Sequence, residues 1–210
     1  ERNAAVAREL RPTLDSTWTK AQVEKARQHC RLVLATTNLE AEILDPIGGP
    51  GGCGIAAPVL VTAFGNMKAN PPAKLNCNMA LAVYNWTVNS IQPMARRKFG
   101  QSVIAVRNMS SYSCRSRRGV LGGRISEHSF GNALDVGGFT LSSGKKITVL
   151  KDWSSVGSLF GVVSSASFLT QVHDGACKDF STVLGPAYNK AHRNHFHIDL
   201  GRGGRYKICH

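Results

Sequence analysis

No run of about 18 consecutive apolar residues occurs anywhere in the chain, so no membrane-spanning helix is expected. Glycine and proline are scattered without a collagen-like period, and there is neither an internal repeat nor a low-complexity linker after residue 52. Acidic residues are scarce. Asp and Glu total 13 against 26 Lys and Arg, and none at all falls between Asp45 and Glu127. The six cysteines include no C-x-x-C pair, which excludes a zinc knuckle or a thioredoxin-type redox motif. The opening Glu1-Arg2-Asn3 is polar, so no attached signal peptide is expected.

What is present is enough for one core. With 210 residues, 42% of them hydrophobic, the chain can build one domain, or one domain with an appendage. The formal charge of +13 implies a polyanionic environment: nucleic acid, an acidic membrane surface or an anionic cell-wall polymer. Lys68, Lys74, Arg107 and Arg115 lie in the acid-free interval, which serves equally as a solvated basic surface or as one facing a substrate. An even count of widely spaced cysteines favours three disulfides in an oxidising compartment. Nearness in chain order suggests Cys30 with Cys53, Cys77 with Cys114 and Cys177 with Cys209, among the 15 pairings that six cysteines allow.

Residues 1–45 read as a helical extension in two pieces. Ala4, Val6, Ala7 and Leu10 mark the first and Ala21, Val23, Ala26 and Leu32 the second, with Ser16-Thr17 or Thr19 as cap. Ile47 to Gly52 is expected to break regular structure before the β-rich Val59 to Phe64. Cys77, Leu81, Tyr84 and Val88 recur at helical spacing, and Pro93 suits the first turn of a second helix that Gly100 stops. Strands are expected over 103–106, 133–141 and 147–150, the last two joined in a hairpin by Ser142-Ser143-Gly144-Lys145. A helix over 165–180 and a strand over 195–200 complete the reading.

Four of the seven histidines fall in two segments. In the first, His128 and Asp135 stand seven positions apart across a glycine-containing bend that leads into a strand. In the second, His195, His197 and Asp199 alternate and so project from one strand face, neighbours about 6.6 Å apart. A catalytic zinc takes three N or O ligands and keeps one position open, and a His/Asp/His set meets that need. An isolated His128 would pass for a satisfied core histidine. Asp135 on an apolar strand would be a costly buried carboxylate without a cation. Glu127 and Asp199 read as hydrogen-bond partners of ligands. His192, beside the charged Arg193, suits a structural role and a catalytic one equally.

The pattern S-x-H-x-x-G-x-A-x-D over Ser126 to Asp135, followed by H-x-H at 195–197, resembles the metal-site signature of the lysostaphin, D-Ala-D-Ala metallopeptidase and hedgehog group of zinc proteins. Adding Cys53-Gly54, Ser111 to Arg115, Asp174 to Cys177 and Leu184 to Pro186, the chain from about 53 to 209 is similar to the bacterial extensin-like C-terminal domain family. The resemblance implies zinc held by His128, Asp135 and His197, with His195 as the unligated active-site histidine. It also implies that His192 lines the site, as in the penicillin-insensitive murein endopeptidases, and that Arg115 holds substrate or oxyanion, although its segment carries one inserted residue relative to the related peptidases. Position 195 is histidine where the D-Ala-D-Ala dipeptidases have a glutamate base, so a glutamate mechanism does not transfer.

The expected fold is therefore α+β: a small antiparallel sheet carrying zinc on its concave face, flanked by helices, over residues 46–210, with the helical extension before it. The expected activity is zinc-dependent D,D-endopeptidase cleavage of peptidoglycan cross-links, in the chain owner's wall or a competitor's. A D,D-carboxypeptidase or dipeptidase, a zinc-bearing cell-wall-binding module and a secreted nuclease are the alternatives. Against the nuclease, the chain lacks a basic-aromatic stacking pattern. Peptidoglycan stem peptides are the expected partner, without nucleic acid, and an immunity protein would join them if the chain is a toxin. A monomer in the periplasm or secreted is expected. Gly119, Gly122 and Gly123 suggest a loop that shapes the cleft.

Overall fold

The computed structural model describes residues 17–50, 52–117, 123–153, 162–201 and 206–210. The expected helix around Ala4 to Leu10, and Gly119 and Gly122 of the expected loop, lie outside them.

Helix α1 (Lys20–Thr36) begins at a capping box. The Thr19 hydroxyl accepts the Gln22 amide, and the Gln22 side chain accepts the Thr19 amide, satisfying two otherwise unpaired donors. It buries Cys30 and Val33. The chain then returns as strand β1 (Leu39–Ile43), which pairs antiparallel with β4 (Val59–Phe64). The stretch read as a separate helical extension thus supplies the edge strand of the main sheet. Between them the glycines do not abolish pairing: β2 (Ile47–Gly48) and β3 (Gly54–Ile55) form a short antiparallel ladder. Gly48 sits there at φ +54, where a Cβ would collide with the Cys53 carbonyl.

The sheet continues through β5 (Met67–Leu75), β6 (Val103–Ser110), β7 (Ala133–Leu141), β10 (Phe196–Asp199), β9 (Thr182–Leu184) and β11 (Ile208–Cys209), with β8 (Lys146–Thr148) also on β7. It is antiparallel except for the pairs β5–β6 and β9–β11. β5 escapes a sequence reading because Pro71-Pro72 lies inside it. Its ladder to β6 covers only Lys68 to Asn70, and beyond that the Asn108 side-chain amide donates to the carbonyls of Pro71 and Pro72. Helices α2 (Cys77–Trp86) and α3 (Gln92–Phe99) are joined by a π-turn over Thr87–Ile91, and α3 ends at Gly100 in the left-handed conformation. The expected hairpin is present, although after Thr148 the chain turns into the single helical turn α4 (Val149–Asp152) rather than continuing as strand. Helix α5 (Val162–Asp179) follows.

One face of the sheet is packed and the other is open. Along β5, Met67 and Ala69 are buried while Lys68 and Asn70 are exposed, the alternation of a half-covered sheet. On the packed face Trp86, Phe139, Phe168 and Phe180 meet edge to face, and the Trp86 indole donates to the Val172 carbonyl.

The disulfides correct two of the three expected pairings. Cys30 bonds Cys77, Cys53 bonds Cys114 and Cys177 bonds Cys209, with Cα separations of 5.4, 5.5 and 5.8 Å. Only the last is the expected pair. Cys30 faces the first turn of α2 because α1 packs there, and Cys53 faces the segment before the 127–130 turn. Nearness in space, not in sequence, decides. Such bonds persist outside the reducing cytosol, so the chain is secreted or otherwise non-cytoplasmic. No helix among the described residues is long and apolar enough to cross a membrane. Thiol titration of the denatured, unreduced protein is expected to find no reactive group, and each bridge should contribute about 2–4 kcal/mol, read as the loss of stability on reduction.

Candidate metal centre

The site is assembled where β7 and β10 run side by side at the centre of the sheet. His197 lies directly opposite Asp135 in the ladder, so their side chains share a face. His128 arrives from the 3₁₀ turn Glu127–Phe130, which Ser126 caps and Gly131 closes at φ +58. A Cβ on Gly131 would come within 2.8 Å of the Asn76 amide, so glycine is required for the chain to pass from turn to strand.

Three donor atoms converge. His128 Nε2 stands 3.3 Å from both Asp135 Oδ1 and His197 Nδ1, and His197 Nδ1 is 2.9 Å from Asp135 Oδ1. The opposite ring nitrogens fix this orientation. His128 Nδ1 is 2.6 Å from the Ser111 carbonyl and His197 Nε2 is 2.9 Å from Asp199 Oδ2. Both oxygens only accept, so each imidazole donates outward and turns its other nitrogen to the cluster, the arrangement that fixes metal-ligating histidines. His128 and Asp135 are buried, with relative exposures of 1% and 7%. Burial alone would raise the Asp135 carboxyl, but hydrogen bonds from His128 and His197 outweigh it and hold it well below the usual carboxylate range. Burial would lower the His197 imidazole, yet its hydrogen bonds to Asp135 and Asp199 push it up to about 9. Such a cluster of two imidazoles and a buried carboxylate is a set that could hold a divalent cation. The other group with ligand-like spacing among the described residues, His173 with Cys177 and Cys209, has both sulfurs bonded to each other.

The remaining expected residues surround the cluster. His195, just before β10, places Nε2 3.7 Å from Asp135 Oδ1, on the same face as His197 and Asp199. His192 lies on a 3₁₀ turn with its ring 5.2 Å from that of His195. Arg115 brings Nη2 to 3.8 Å from Asp135 Oδ2, and its backbone is held to the 127–130 turn through Ser129. Its neighbour Cys114 is bonded to Cys53. Asp199 partners a cluster histidine as expected. Glu127 instead accepts from Asn132 and lies beside Arg117, at 2.9 and 3.7 Å.

Two asparagines are new to the site. The Asn194 side-chain carbonyl accepts from His195 Nδ1 and that of Asn189 from His192 Nδ1, each at 2.8 Å. Each histidine therefore donates away from the cleft and keeps Nε2 as a bare acceptor. Burial, which outweighs the pull of Asp135, holds both imidazoles below their ordinary range, so both are neutral at physiological pH. Tyr188 packs on His192 and stacks on His210, closing that flank. Asn194 adjoins His195 in sequence, but only the fold reveals which way the amide points.

An α+β sheet with a buried His/Asp/His cluster at its centre defines the class of site. The chain belongs to the Extensin-like protein C-terminus family, whose match runs over residues 28–210 and so takes in the second half of α1 as well as the whole sheet. No curated protein and no solved structure matches it.

Proposed function

We propose that the chain is a zinc-dependent peptidoglycan hydrolase, a D,D-endopeptidase cutting peptide cross-links of the bacterial wall in the periplasm or after secretion. One observation carries the reading: His128 Nε2, Asp135 Oδ1 and His197 Nδ1 stand 2.9–3.3 Å apart with their outer nitrogens already committed. Ligands about 2.0–2.1 Å from a tetrahedral zinc are about 3.3 Å from one another, which two of the three separations match and the third, at 2.9 Å, approaches. Zinc bound there supplies a Lewis acid for a scissile carbonyl and lowers the pKa of water at the open position towards neutrality.

The chain's own residues do the rest. His195 is neutral, with Nε2 unprotonated and facing the cluster, so it accepts a proton from the nucleophile and, once protonated, returns it to the leaving amine or steadies the oxyanion. Asn194 holds the ring in the tautomer this requires. Arg115, half-exposed beside Asp135, positions a substrate carboxylate or the developing oxyanion. His192 lines the same flank and presents a second acceptor at Nε2. The +13 charge suits carboxylate-bearing stem peptides.

Purified protein loaded with zinc is expected to convert cross-linked muropeptide dimers to monomers, separated by chromatography, while leaving plasmid DNA intact. Undigested dimers with zinc bound would overturn the reading, and plasmid cleavage would put a nuclease in its place.

A further inference from the structure

On the open face of the sheet, beside the metal centre, lies a pocket of ≈ 550 Å³ spanning β5 to β8, with Asn70, Arg107, Thr140, Lys146 and Thr148 in its lining. The strand register explains its shape. Asn70, Arg107, Gly138 and Thr148 stand opposite one another in one row across four strands, and Lys68, Ala105, Thr140 and Lys146 form the next. Directly opposed residues share a face.

An irregularity in β7 joins this pocket to the site. Asn108 pairs with Val136 but Arg107 with Gly138, so Gly137 is an extra residue on β7. A bulge of this kind shifts the alternation by one. Leu134 and Val136 before it and Phe139 and Leu141 after it all enter the core, which leaves Asp135, Gly138 and Thr140 together on the open face. A Cβ on Gly137 would stand 2.5 Å from Met109 Sδ and 3.2 Å from Arg107 Cδ. The missing side chain leaves room over β7 for Met109 and Arg107, which line the pocket. Measured along the strand, the pocket rows are roughly 10–16 Å from Asp135, the span of three to five extended residues.

The chemistry of the pocket is one-sided. Its lining holds two cations and two threonines but no carboxylate, and Lys68 flanks it. Neither Arg107 nor Lys146 has an ion-pair partner among the described residues.

We propose that this pocket is an anion subsite, in which Arg107 and Lys146 hold a carboxylate of an extended acidic peptide whose scissile amide lies at the metal centre. The inference rests on the hydrolase reading above and adds what selects the substrate. Arg107 offers a planar fork for a carboxylate, Lys146 a point charge and Thr140 a neutral donor, while the Thr148 hydroxyl is engaged with Asp152.

The test uses zinc-loaded wild type and the double variant Arg107→Ala/Lys146→Ala on a cross-linked muropeptide with free carboxylates and on the same muropeptide with its carboxylates amidated. The variant is expected to keep its bound zinc and its kcat, to raise KM for the free-carboxylate form by about 10-fold or more, and to leave KM for the amidated form unchanged. Equal KM values for wild type and variant on the free-carboxylate form would overturn the subsite while leaving the hydrolase reading intact. If wild type cleaves neither form, that reading falls, and calorimetric titration with the free-carboxylate muropeptide decides the subsite alone. Binding weakened in the variant supports it; equal binding, or none to wild type, overturns it.

Discussion

Replacing Asp135 by alanine is expected to empty the metal centre and abolish hydrolysis while leaving the sheet folded. Its Oδ1 is the common neighbour of the cluster, 2.9 Å from His197 Nδ1, 3.3 Å from His128 Nε2 and 3.7 Å from His195 Nε2. Without it, two imidazole nitrogens 3.3 Å apart remain of the three ligating donors, and affinity should fall by on the order of 10²-fold or more. Elemental analysis after dialysis reads this directly, and full occupancy in Asp135→Ala, His128→Ala and His197→Ala would remove the ligand assignment. The same carboxylate sets a pH dependence. In the metal-free protein His197 is held up at about 9 by Asp135 and Asp199, so a proton sits on Nδ1 where the metal must bind, and apparent metal affinity should weaken as the pH falls below about 9. The sign for folding is the opposite one. A folded-state pKa raised above the unfolded 6.5 stabilises the metal-free chain fully below about pH 6.5, and that contribution is lost as the pH rises through about 9. Melting temperatures of the metal-free protein across that window should show the decline, and Asp135→Ala should flatten it.

Some of this was legible in the residues and some was not, for physical reasons. α1 and the β7–β8 hairpin rest on local signals: Thr19 with Gln22, and the four-residue turn before Lys146. β5 carries two prolines and holds together through a side chain of another strand, Asn108, which no window of sequence contains. β1 alternates Glu40 and Glu42 with apolar residues as an edge strand does, but its length of five residues after a helix left it hidden. The cluster of His128, Asp135 and His197 was visible because each sits in a short motif. Its orienting partners were visible only in part. Asp199 alternates with His197 along one strand, whereas the Ser111 carbonyl reaches His128 from 17 residues away by a route that the fold alone creates. The two missed disulfide pairings fail in sequence for the same reason, since Cys53 and Cys114 are 61 residues apart and become neighbours only when the 111–115 segment docks on the turn that carries His128.

The sharpest division of labour is expected between His195 and His197, two residues apart on one face. His197 is half-buried against Asp135 and donates outward to Asp199, so His197→Ala should lose both metal and activity. His195 Nε2 stands 3.7 Å from Asp135 Oδ1, beyond hydrogen-bond distance, and its Nδ1 is taken by Asn194. His195→Ala should therefore keep the zinc and the fold but lose on the order of 10²-fold or more in kcat, the usual worth of a positioned proton-transfer group or oxyanion donor. Because Asn194 acts only through that ring, Asn194→Ala should give a smaller loss and an altered pH profile without changing metal content. Turnover of cross-linked muropeptides, measured alongside bound zinc for each variant, separates the roles. Release of zinc by His195→Ala with retention by His197→Ala would mean that the two histidines have exchanged places. Wild-type turnover in a zinc-loaded His195→Ala protein would show that the proton moves without this imidazole, and the mechanism built on its bare Nε2 would fall.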